Sequence, residues 1–164
     1  LLYPVGGVMR GVAVAVDGSA TIWVQVDFRP AYQELVQQVA EPNRDDGKLR
    51  LRVDLAHVSP QEPGSQTPRF AEWFRKKVAL ELKQKLLDQP VTVQFERVGG
   101  RGAGRLRGMV FQGKEGAENV NLWMVLNGWS YYVLSDGNNP YDKLFRNAED
   151  IAHRDKSGIW QHLP

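Results

Sequence analysis

Three short runs with a period of two constrain the fold of this chain more than any other feature in it. Val12, Val14 and Val16 alternate with small residues and stop at Asp17-Gly18-Ser19, a turn signal. The return run sets Ala20, Ile22, Val24 and Val26 on one face and Thr21, Trp23 and Gln25 on the other. Further on, Leu49, Leu51, Val53 and Leu55 oppose Arg50, Arg52 and Asp54. Such alternation marks a strand with one face buried and one wet. A hairpin and a third strand are therefore expected, with His57 carrying the apolar parity to the strand's end. The pattern breaks at about residues 28–48, where Pro30 is placed to open a short helix through Leu35 and Val39 and Pro42 leads into the polar turn Asn43-Arg44-Asp45-Asp46-Gly47. This stretch reads as an insertion.

The second half changes period. Thr67 is placed as an N-cap with Pro68 at the first helical position, and Phe70, Phe74, Val78, Leu82 and Leu86 recur at i+4 as a buried stripe that ends before Pro90. Two more strands are expected over Val91–Val98 and Arg105–Phe111, separated by the glycine-rich run Gly99–Gly104. Asn121–Asn127 reads as a short helix closed by Gly128, Tyr131 to Val133 as a brief strand, and a last helix follows Asn138-Asn139-Pro140 with Tyr141, Leu144, Ala148 and Ile151 on one face. The order is strand, strand, strand, helix, strand, strand, helix, helix. It suits a mainly β protein with about three helices, a five-stranded Greek-key barrel of the OB-fold type.

Composition narrows the classes. A chain of 164 residues is the usual size of a single domain, here 1–164. No apolar run approaches the roughly 20 residues that span a bilayer, so a soluble chain without membrane insertion is expected. The absence of Cys excludes disulfides, thiolate metal sites and cysteine nucleophiles. The sequence begins with Leu1 rather than Met, and a secreted or periplasmic location is open if a signal peptide preceded it. A formal charge of +2 says less than its distribution, since phosphates demand clustered cations. Arg101, Arg105 and Arg107 lie in a run without an acid, and Arg75, Lys76 and Lys77 form a second cluster that reads as a solvated helix face.

Six pieces in order resemble the staphylococcal nuclease-like (thermonuclease) family. Val16-Asp17-Gly18-Ser19-Ala20-Thr21-Ile22 is similar to a family hairpin Asp-Gly-Asp-Thr, and Arg52 to Pro60 to a strand Arg-Leu-x-x-Ile-Asp-x-Pro-Glu. Pro68 and Ala71 fit the helix start, Gly104-Arg105-Leu106 the Gly-Arg-x-Leu, Asn121 with Leu122, Val125 and Gly128 the Asn-x-x-Leu-Val-x-x-Gly, and Gly158-Ile159-Trp160 the closing Gly-Ile-Trp. The resemblance implies a phosphodiesterase site in which two aspartates hold calcium, a glutamate positions or deprotonates water, and two arginines neutralise the phosphate. On that resemblance the arginines fall at Arg52 and Arg105. The carboxylates do not carry over: one aspartate falls at Ser19 or Ala20, the other at His57, and the glutamate at Gln61, or at Glu62 if the loop has gained a residue. Tyr131 or Tyr132 stands where a nucleotide-stacking tyrosine is implied.

Each of these residues also has a plainer role. Asp17 suits a turn, Asp54 an ion pair with Arg50 or Arg52, and His57 a strand-end hydrogen bond to backbone, against a ligand or general-base role. Arg52 and Arg105 suit pairing with Asp54 or Glu96 across the sheet. Trp123, Trp129 and Trp160 suit the core. Two functions follow. The first is a catalytically degenerate domain, without a cofactor, that binds single-stranded DNA or RNA, or another phosphate-bearing or protein partner, through Arg52, Arg101, Arg105, Arg107 and Tyr132, with 28–48 as a protein-docking element. The second is an active endonuclease that uses Arg52, Arg105, Glu62 and His57 with Ca2+ or another divalent metal.

Overall fold

The computed structural model describes residues 7–59, 67–96, 104–113, 116–134 and 139–162. Strands β1 (Val8–Val16) and β2 (Thr21–Val26) form the expected hairpin, closed by a bond from the Asp17 amide to the Thr21 carbonyl of 2.8 Å. Helix α1 (Arg29–Val36) and the two-residue strand β3 (Arg44–Asp45) follow, then β4 (Arg50–Leu55) and β5 (Val58–Ser59). Helix α2 (Pro68–Leu86) leads to β6 (Pro90–Phe95), β7 (Leu106–Gln112) and β8 (Glu118–Asn119). Helix α3 (Val120–Leu126), β9 (Tyr131–Tyr132) and helix α4 (Asp142–Arg154) complete the set, before a turn of 3₁₀ helix at Gly158–His162.

The sheet runs β3-β4-β2-β1-β6-β7-β8, and β4 also pairs with β7 in parallel. That last pairing closes β1, β2, β4, β6 and β7 into a ring. A helix lies between the third and fourth barrel strands, so the OB-type barrel expected from the element order is what the chain forms. Inside it Ile22, Val24, Leu51, Val53, Val93 and Leu106 are fully buried. Helix α2 covers one end through Phe74, Val78, Leu82 and Leu86, and the Thr67 hydroxyl caps it by accepting from the Phe70 amide at 3.2 Å.

Three details depart from expectation. On β1 the inward residues are Met9 and Ala13, Val12 and Val14 are half-buried, and an irregularity between Ala13 and Ala15 brings Val16 opposite Ile22 and against the core. Leu49 is half-buried, just ahead of β4, with a left-handed φ of 55°. On α4 the buried residues are Phe145, Ala148 and Ala152, and Leu144 and Ile151 are exposed, because the helix turns its aromatic toward a second small core with Met109 and Val125. The described residues hold four α-helices, of which α1 is the short helix expected from Pro30.

The stretch at 28–48, read from the sequence as an insertion, is built into the barrel. Tyr32, Leu35 and Val39 join the main core, and β3 extends the sheet beside β4. It is fastened at Gly104, whose carbonyl accepts from the Ala40 amide at 3.0 Å and from the Asn43 side chain at 3.1 Å. Gly104 has φ +74°, and a Cβ there would sit 2.3 Å from the Ala40 nitrogen, so this contact admits only glycine.

Candidate functional site

The outward positions of β2, β4 and β7 assemble the site. Register sets Trp23 opposite Arg52 and Thr21 opposite Asp54, and the parallel pairing places Arg107 beside Asp54. Arg105, one residue before β7, reaches Asp54 with both prongs of its fork, Nε to Oδ2 at 2.7 Å and Nη2 to Oδ1 at 2.8 Å. The Thr21 hydroxyl donates to the same carboxylate at 2.8 Å. Burial alone would raise the Asp54 carboxyl, but the bonds from Arg105 and Thr21 together outweigh it and hold the group below the usual carboxylate range. The bond to Asp54 in turn raises Arg105 above its ordinary value. Asp54 therefore pairs with Arg105, not with Arg50 or Arg52: Arg50 bonds Gln25, and Arg52 meets Asp17 at 2.8 Å. Arg107 lies 3.3 Å from Glu96.

His57 follows β4 in a turn with φ +62°, in the left-handed region that non-glycine residues rarely enter. Its ring is buried. Nδ1 donates to the Val133 carbonyl at 3.1 Å, and Nε2 faces the Glu96 carboxylate. The Val133 amide returns a bond to the His57 carbonyl at 2.9 Å. Serving the Val133 carbonyl requires the tautomer with its proton on Nδ1. His57 thus joins the β4 turn to the segment after β9, as the backbone-bonding alternative anticipated.

Tyr132 is held in the same joint. Its hydroxyl donates to Asp142 at 2.6 Å, and its ring packs against Phe145 at 5.1 Å and edge-on to His57 at 6.3 Å. Burial and then the Asp142 bond push its hydroxyl up to about 12. Tyr131 packs edge-on to Trp160, and Trp123, Trp129 and Trp160 lie partly buried against the core.

Sequence reasoning quoted Asn121 within a motif and missed its task. Fully buried, it accepts from the Val110 amide at 2.9 Å and donates to the Ala56 carbonyl at 2.9 Å and the Gly108 carbonyl at 3.1 Å. It clamps the His57 turn to β7. An asparagine among the apolar residues that begin a short helix was the available signal. Ser130, also buried, accepts from the Ser59 amide at 2.6 Å.

Between the hairpin end and this turn lies an open cleft of about 330 Å³, bordered by Thr21, Asp54, His57, Ser59, Arg107 and Val133. Calcium takes 6–8 oxygen ligands, several of them carboxylate. Here Asp17, Asp54 and Glu96 each face a cationic partner, Ser19 and Ala20 bring no carboxylate, and no group of three His, Asp or Glu among the described residues is placed to hold a metal. These residues do not fit a calcium ion. Gln61, Glu62 and Arg101 lie outside the described residues.

A closed five-stranded barrel with an arginine-bordered cleft beyond its hairpin end defines an OB-fold domain of the nuclease-like kind. The family model described as staphylococcal nuclease homologue matches residues 52–162, and the chain belongs to that family. No curated protein matches the chain. The family is typically calcium-dependent and is linked in general to nucleic acids and their cleavage. Among the described residues no helix is long and apolar enough to cross a membrane.

Proposed function

We propose that this domain binds phosphate-bearing polymers, single-stranded DNA or RNA, without calcium-dependent cleavage. The observation that carries the reading is the pairing at the site. The carboxylates beside the cleft are tied to Arg105, Arg107 and His57, while the Arg105 guanidinium keeps an edge toward solvent. Arg105 is 42% exposed, and its Nη1 carries no bond among the described residues. Arg52, Arg105 and Arg107 stand on or beside adjoining strands, a spacing that suits successive phosphate oxygens. On the family resemblance His57 falls where a calcium-ligating aspartate is implied, and imidazole is a poor donor to that hard ion.

Fluorescence anisotropy with single-stranded DNA and RNA at low salt tests this. Binding should weaken with salt by a log–log slope of about −0.7 per phosphate contacted, and Arg52→Ala and Arg105→Ala should each lower that slope by about one contact. Lack of binding at low salt defeats the nucleic-acid reading and leaves protein docking through the 28–48 region, where Phe28 is exposed. Cleavage with calcium, magnesium, manganese or zinc that disappears in Arg105→Ala would show the chain to be an active nuclease.

A further inference from the structure

Helix α2 buries one face in the barrel and presents another that the site does not use. Trp73 and Leu80, 48% and 60% exposed, are seven residues apart and so share a stripe two turns long. Lys76 and Lys83 repeat the same interval beside them. Between this stripe and the end of β1 is a recess of about 360 Å³ lined by Val16, Lys76, Ala79, Leu80 and Lys83. The helix carries six basic residues against two acidic ones. Lys76 is balanced only by an exposed ion pair with Glu72 at 3.3 Å, which exchanges readily with solvent, and Lys83 has no carboxylate partner among the described residues.

We propose that this face is a docking site for an acidic amphipathic helix of a protein partner, one that sets an apolar side chain in the recess and carboxylates against Lys76 and Lys83. The seven-residue interval of both the apolar and the basic pair is the repeat of a helix seam, and flanking charges select the partner in such seams. A second copy of this chain is disfavoured because α2 against α2 would bring the lysines together. A bilayer offers no knob for a concave recess, and Trp73 and Leu80 alone bury little area. Nucleic acid finds no free stacking surface, since Lys77 lies over the Trp73 ring at 5.5 Å and His162 meets its edge at 5.7 Å.

The test uses two synthetic helical peptides with the same leucine stripe, one flanked by glutamates and one by lysines, titrated against the whole chain by anisotropy and amide-shift mapping. The glutamate peptide should bind with a Kd on the order of 10–100 µM and shift signals around Val16, Ala79, Leu80 and Lys83, while the lysine peptide should not bind. Leu80→Glu should abolish binding. Lys83→Glu should weaken it about tenfold and admit the lysine peptide. Both positions are exposed, so unchanged thermal melts check that the variants fold. Equal binding of the two peptides, indifference to Leu80→Glu, or no binding of the glutamate peptide overturns the proposal. So does attachment of this face to phosphatidylserine vesicles or single-stranded RNA in place of the peptide.

Discussion

Replacing Asp54 by Asn removes the charge that faces Arg105 while keeping an oxygen for the Thr21 hydroxyl. The two effects have opposite signs. For stability, the lost charge-assisted fork should cost about 1–2 kcal/mol, less than a buried pair because Arg105 is largely exposed. In a chain of this size that lowers Tm by about 3–6 °C. The sign with pH follows from the depressed carboxyl of Asp54: its contribution is complete above the unfolded-state value and fades as pH falls through the folded one. The gap between the melts should hold near neutrality and close below about pH 4. For binding, two unit charges about 4 Å apart interact by about 4 kcal/mol at an effective dielectric constant of 20, and screening at this exposed site reduces that to about 1 kcal/mol. Asp54→Asn should therefore bind single-stranded nucleic acid about fivefold more tightly at low salt. Anisotropy reads the gain, and the double variant Asp54→Asn with Arg105→Ala should lose it. If Asp54→Asn binds no more tightly, or the double variant keeps the gain, phosphate does not compete with Asp54 for Arg105 and the reasoning fails.

Asn121→Ala leaves an amide and two carbonyls without their partner and should cost about 3 kcal/mol in denaturant titration, with faster amide exchange at Ala56 and Val110. Gly104→Ala places a Cβ 2.3 Å from the Ala40 nitrogen in a left-handed conformation; it should destabilise the chain by about 2–4 kcal/mol and shift amide signals in both the insertion and Arg105. Calcium should leave Tm unchanged, whereas an ion held at 100 times its Kd would add about 2.7 kcal/mol and raise Tm by several degrees in a melt.

The barrel was legible because its strands announce themselves twice, by alternation and by the turns between them. Ile22, Val24, Leu51 and Val53 are inward where their parity put them, and Thr67 caps α2 where the Thr-Pro pair placed it. Parity does not say which face is inside when both carry small apolar residues, which is why the β1 valines gave no guide to Met9 and Ala13. Nor could periodicity choose a face for α4, where Leu144 and Phe145 are neighbours and the second core takes the aromatic. The pairings at the site were less accessible still. Asp54 and Arg105 are 51 residues apart, and nothing local favours that pair over Arg50 or Arg52. It arises only when β7 lies beside β4, the one parallel pairing among the described strands of the barrel.

That same contact explains why the insertion and the site belong to one structure. The chain enters β7 through Gly104, whose carbonyl is held by Ala40 and Asn43, and the next residue is the arginine that forks onto Asp54. On the far side of β4, His57 takes up Glu96, and Glu96 also faces Arg107. A calcium site needs carboxylates gathered without cations of their own, so that the ion supplies the positive charge. Here the positive charge is built from Arg52, Arg105 and Arg107, and Asp17, Asp54 and Glu96 already answer them. An arriving phosphate can displace such a carboxylate from a guanidinium at small cost in an exposed site, because the exchange replaces one anion by another. A calcium ion arriving at the same place would have to strip carboxylates from their partners and leave arginines unpaired beside a dication. On the proposed reading the arrangement favours anion exchange over metal capture, and Arg105 is the group through which that exchange would run.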